Sequence, residues 1–209
     1  DKPLWCRFAV DARRRLLDEK HVQPEDIPAV VAIVEACAQA SVPVETGLFR
    51  AWAATLTRPS PGSTVPLEYS SLAATALAFT RAEVQLDDMK FWSGWLPTAL
   101  QISAHTATAA DVSRVAVAYA SASLPGSARM ARNAEALVTA MLTGDPSMRR
   151  QASVEPQEAV ALLWAHQLCT EHSVALFCLL WDATLRTRLS ELSTVELALL
   201  VEYVSATKV

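Results

Sequence analysis

The sequence predicts an all-α protein, a right-handed α-solenoid of antiparallel helix pairs with about ten helices. Three observations carry this. A phrase of apolar and small residues ending on Leu comes round four times, closing at Leu56, Leu100, Leu142 and Leu185, in steps of 44, 42 and 43 residues. A second phrase comes round five times, closing at Cys37, Phe79, Tyr119, His166 and Tyr203, in steps of 42, 40, 47 and 37 residues. The 209 residues include only 5 Gly, and Ala, Leu and Val dominate, which favours helix over sheet. A period of this size marks a two-helix unit that stacks on copies of itself.

The second phrase marks the first helix of each pair, A, and the Leu-ending phrase marks the second, B. Residues 1–20 read as the B helix of a preceding repeat. Residues 21–57 come next as an A–B pair whose A helix opens at Pro24-Glu25-Asp26. The Pro- and Ser-rich stretch Arg58 to Ser63 separates it from the pair at 64–101, where Pro97 should kink or divide the B helix. The pair at 107–143 opens on Thr108 and Asp111, and Leu124-Pro125-Gly126-Ser127 parts its two helices. Thr143-Gly144-Asp145-Pro146 starts a longer loop, and the pair at 154–189 opens on Glu155-Pro156-Gln157-Glu158. Residues 191–209 read as the A helix of a following repeat, with Ser193 and Glu196 at capping-box spacing. Within the A phrase the fourth place is Ala in four of five copies, which lets helices approach closely. The larger residue after it fills the space between neighbours. Neither end carries a clear polar cap. The whole of 1–209 therefore reads as one solenoid segment of a longer array, or one whose ends a partner covers.

Composition narrows the function. The net charge is −4, with 10 Lys/Arg against 12 Asp/Glu in residues 1–105 and 8 against 10 in residues 106–209. A chain whose whole task is gripping phosphate would be basic. No run of apolar residues approaches the ~18 needed for a membrane span. The four cysteines, Cys6, Cys37, Cys169 and Cys178, read as small buried hydrophobes in a reducing compartment. The chain starts at Asp1, which reads as a removed leader or a piece of a longer protein. There is no Gly-rich phosphate loop, no Gly-x-Ser-x-Gly and no His-Glu-x-x-His, so the expectation is a protein that is not an enzyme and carries no cofactor.

The stretch Val154 to Leu168 places a polar cap and an acid before an apolar run with Leu163-Trp164-Ala165. It resembles the first helix of repeats in organellar octotricopeptide and heptatricopeptide proteins and in FAST-kinase-like proteins with RAP domains. Thr108 to Tyr119 and Ser193 to Tyr203 are weaker copies. The pattern is also compatible with HEAT or armadillo repeats. The resemblance implies a mitochondrial matrix protein working on RNA or on ribonucleoprotein assembly; otherwise the chain would be cytoplasmic.

Three sets of residues are candidate sites. Basic residues fall on or just after the B helices, as Arg13, Arg14, Arg15, Arg129, Arg132, Arg149 and Arg150, and suit RNA or an acidic partner. The alternative is a solvated face laced with acids such as Asp11, Glu135 and Asp182. Six Trp could stack bases, but Trp52, Trp164 and Trp181 fall on core positions of the repeat. Trp92 is the candidate for an exposed aromatic. His166-x-x-Cys169-x-x-His172 with Cys178 has zinc-ligand chemistry without finger spacing, and His166 also occupies the packing place held by Phe79, Tyr119 and Tyr203. Core packing is the preferred reading, with no metal.

Together these give a non-catalytic scaffold in a mitochondrial ribonucleoprotein, RNA-processing, RNA-editing or ribosome-assembly complex. It would bind protein subunits and, through its arginines, RNA, with no small-molecule substrate. The alternatives are a direct single-stranded RNA binder and a cytosolic HEAT-like adaptor.

Overall fold

A computed structural model describes residues 2–18, 26–40, 46–57, 67–83, 91–124, 126–144, 153–169 and 171–207. Every regular element among them is helical. The chain divides into two compact units, Asp1–Thr106 and Ala107–Val209. No helix among the described residues is long and apolar enough to cross a membrane.

The first unit holds α1 (Lys2–Asp18), α2 (Ile27–Gln39), α3 (Thr46–Thr57), α4 (Tyr69–Arg81) and α5 (Leu96–Ile102). A π-helical turn, Phe91–Trp95, leads into α5. Pro97 stands at the second place of α5 and explains the change of pitch. It has no N–H to offer the carbonyl of Ser93, and its ring would crowd that carbonyl in a regular turn. The expected break in this B helix is therefore present. The A helix α2 packs on the A helix α4, and the B helix α1 packs on the B helix α3. Phe79, at the end of the A phrase in α4, is fully buried. Its ring lies 5.4 Å from Phe49 of α3 and 5.3 Å from Phe91 of the π turn. It fills the space between elements as the repeat predicts, and burial of such a ring stabilises by about 2–3 kcal/mol.

The second unit holds α6 (Ala109–Ser121), α7 (Ser127–Thr143), α8 (Pro156–Leu168), α9 (Val174–Leu180) and α10 (Thr194–Thr207). α9 runs through a π turn, Trp181–Leu185, into Arg186–Arg188. The A helices again lie against one another, α6 on α8 and α8 on α10, and the B helix α7 packs on α6, α8 and α9. Three A helices open with the same device. The backbone N–H of Thr108 donates to Asp111 (3.4 Å), that of Glu155 to Glu158 (2.9 Å), and that of Ser193 to Glu196 (2.7 Å). An acid in the first turn also suits the positive end of the helix dipole.

The two phrases fare differently. All five residues closing the A phrase, Cys37, Phe79, Tyr119, His166 and Tyr203, are buried to 1% exposure or less. The leucines closing the B phrase do not share one environment. Leu100 and Leu185 are buried, whereas Leu56 and Leu142 are half-buried. The two buried leucines stand in the B segments that contain a π turn. One extra residue in a turn rotates the downstream side chains by about 100°, so equal spacing in sequence does not give equal facing.

Candidate functional site

Of the basic candidates, Arg14 and Arg15 on α1 and Arg129 and Arg132 on α7 are exposed. Arg13 is half-buried and lies over the first turn of α3. A Cβ on Gly47 would come within 2.8 Å of its guanidinium carbon, so glycine there makes room for the arginine. Arg132 donates to Glu171 at 2.6 Å and is held in an ion pair. Arg149 and Arg150 lie outside the described residues. Four of the five described candidates are thus exposed, one of them already holding a carboxylate. Arg188 also holds carboxylates. Its Nε and one Nη bond both oxygens of Glu191, at 2.8 and 2.7 Å, and that Nη also bonds Glu155 at 2.5 Å. These bonds push the guanidinium pKa up and hold the Glu191 carboxyl below its ordinary value.

Trp92 corrects the expectation of an exposed aromatic. It is buried to 4% exposure, edge-on to Phe91 at 5.2 Å and to Phe79 at 6.3 Å. The π turn swings Trp92 inward and leaves Trp95 half-buried, stacked on Phe91 at 5.6 Å. Trp52 is core as expected, with its indole N–H donating to Thr75 at 3.3 Å, but Trp164 and Trp181 are only half-buried.

The His and Cys motif does not assemble. Among the described residues, no three or more His, Cys, Asp or Glu come together in a way that could hold a metal. His166 points into the core, Cys169 is half-buried just past α8, and His172 and Cys178 face solvent. Cys6 is also exposed, so of the four cysteines only Cys37 is fully buried. Burial is the main cause pushing the thiols of Cys37 and Cys169 up.

Instead of a metal centre, that region holds a polar junction between α7, α9 and α10 that the sequence does not announce. Ser173 Oγ donates to Glu135 at 2.5 Å and caps α9 by accepting from the N–H of Leu176 at 3.1 Å. The Tyr203 hydroxyl donates to the Ser173 carbonyl at 3.2 Å and accepts from its N–H at 3.1 Å. The His172 ring lies edge-on to Tyr203 at 6.0 Å. Beneath the junction His166 is fully buried, and neither ring nitrogen has a hydrogen-bond partner. Burial is the main cause lowering its pKa, with a small contribution from His172. The carboxylates of Glu135 and Glu171 pull the other way. The junction couples three helices.

The remaining feature is apolar. Among the described residues, six large apolar side chains are exposed on two helices: Phe8, Val10 and Leu17 on α1, and Val195, Leu197 and Val201 on α10. Ile102, Leu168 and Val174 are the other exposed large apolar residues among those described. Exposed apolar surface gathered on particular elements marks interfaces. The chain matches no protein-family profile, no curated protein and no solved structure.

Proposed function

We propose that each unit is a stretch of right-handed α-solenoid built from antiparallel helix pairs, and that the chain is a non-catalytic scaffold. Its partners are protein subunits of an organellar ribonucleoprotein, RNA-processing or ribosome-assembly complex. The observation that carries the scaffold reading is the exposed apolar surface of α1 and α10. The packing of A on A and of B on B, with a buried residue closing every A phrase, supports the solenoid. The organellar setting rests on the resemblance of the α8 phrase alone.

Direct RNA binding through the arginines is the weaker reading, because Arg132 and Arg188 already hold carboxylates and the whole chain carries −4. The test is affinity purification of the tagged chain from mitochondria with and without ribonuclease, with proteins and RNA both identified. Partner proteins that survive ribonuclease and high salt are expected. Recovery of RNA alone, lost at high salt and lost when Arg149 and Arg150 are both changed to Ala, would replace the scaffold with an RNA binder.

A further inference from the structure

We propose that Cys6 on α1 and Cys37 on α2 are a redox pair, which a peroxide converts to a reversible disulfide that staples the two helices. α1 packs on α2. Both cysteines are free thiols; Cys37 is 1% exposed, whereas Cys6 faces solvent. Small residues flank both: Ala9 stands one turn after Cys6, and Ala36 and Ala38 stand beside Cys37. Side chains this short let backbones approach to the Cα separation of about 6 Å that a disulfide needs.

Position along the helices brings the two level. Cys6 lies 12 residues before the end of α1 at Asp18, and Cys37 lies 10 residues after the start of α2 at Ile27. At about 1.5 Å per residue these are about 18 and 15 Å, so in an antiparallel pair the cysteines differ in height by only about 3 Å. In a parallel pair, measured from Lys2 and Ile27, they would differ by about 9 Å. The thiols feel one another: after burial, negative charge on Cys6 is the second cause that pushes the Cys37 thiol up. That coupling fits the level arrangement.

The two environments divide the roles. The exposed Cys6 is the sulfur that an oxidant in solution reaches. Its thiolate attacks a peroxide oxygen, the O–O bond breaks, and Cys6 becomes a sulfenic acid. The departing hydroxide takes up the proton that Cys6 released and leaves as water. Cys37 then gives up its proton and attacks the Cys6 sulfur. The S–S bond forms, the S–O bond breaks, and the hydroxide takes that proton as a second water. Two thiols are oxidised by two electrons, and one peroxide is reduced to two waters. An external dithiol restores both thiols by exchange and becomes a disulfide itself. In a reducing compartment such a bond is transient, which suits a sensor rather than a permanent brace.

The test treats the folded 209-residue chain with hydrogen peroxide, alkylates the remaining thiols and maps peptides by mass spectrometry without reduction. The expected product is a single chain that has lost two hydrogens, with the Cys6 and Cys37 peptides joined. Its yield should not depend on protein concentration, and dithiothreitol should reverse it. Its urea midpoint should rise, because the bond closes a loop in the unfolded chain. Cys37→Ala should stop the reaction at the Cys6 sulfenic acid, trapped by a 1,3-dione in greater yield than in the parent. Cys6→Ser should lose the cross-link and leave Cys37 unmodified. A folded parent in which Cys6 goes on to the sulfinic acid while Cys37 stays a thiol would overturn the pairing. So would a cross-link from Cys6 to another cysteine or to a second copy, or a Cys6–Cys37 bond that forms only in urea.

Discussion

His166 holds a place filled by aromatic rings in three of the other four A helices, and there its two nitrogens lack partners. An imidazole so placed costs most when charged. Because its folded pKa lies below the ordinary value of 6.5, the unfolded chain takes up the proton first as pH falls. This site therefore contributes no pH dependence well above 6.5, and stability drops as pH falls from about 6.5 towards the folded pKa. His166→Phe, which copies Phe79, should flatten that dependence. We expect its effect on stability to be more favourable at pH 5 than at pH 7.5, read from urea midpoints at the two pH values. An equal effect at both would mean that the imidazole is not charged on unfolding. The repeat alone places this residue in the core. The spacing to Cys169 and His172 suggests a ligand set only because sequence spacing carries no facing information once the helix ends at Leu168.

Helix ends show which local structure is legible and which is not. The caps Thr108–Asp111 and Ser193–Glu196 are read directly, because donor and acceptor stand three residues apart. The π turn before Pro97 is half legible through the missing N–H, whereas that at Trp181–Leu185 has no proline and leaves no local mark. The burial of Trp92 depends on Phe79 of another helix, so no local pattern reveals it. The repeat shows again at the C-termini of α4 and α6. Glu83 and Ser123, each four residues after the buried ring, are the non-glycine residues with positive φ among those described, at 51° and 49°. Their N–H groups bond the carbonyls of Thr80 and Ala120 at 3.1 Å. A side chain is strained in this left-handed region and glycine is not, so Ser123→Gly should stabilise by about 0.5–1 kcal/mol, and Glu83→Gly likewise. Equilibrium denaturation checks this; a loss of stability at both positions would show that the side chains make compensating contacts.

At the scale of the molecule, the all-helical class and the A phrase are legible because one local pattern recurs along the sequence. The chain-wide facing of the B phrase is not, because π turns rotate it. What separates a stack from a closed bundle is how damage spreads. In a stack each helix pair leans on its neighbours, and stability is close to a sum of local and nearest-neighbour contributions. In a bundle a single core fails together. The junction at Ser173 offers a clean perturbation within the second unit. Tyr203→Phe keeps the buried ring but removes the hydroxyl that serves both the N–H and the carbonyl of Ser173. Leaving those groups unpaired should cost about 1–2 kcal/mol. Amide hydrogen exchange should then show protection falling most in α9 and α10, less in α8, and least in α6, which packs on α7 and α8 rather than on α10. An equal fall across α6 to α10 would identify one cooperative core in that unit, and the solenoid reading would not survive it.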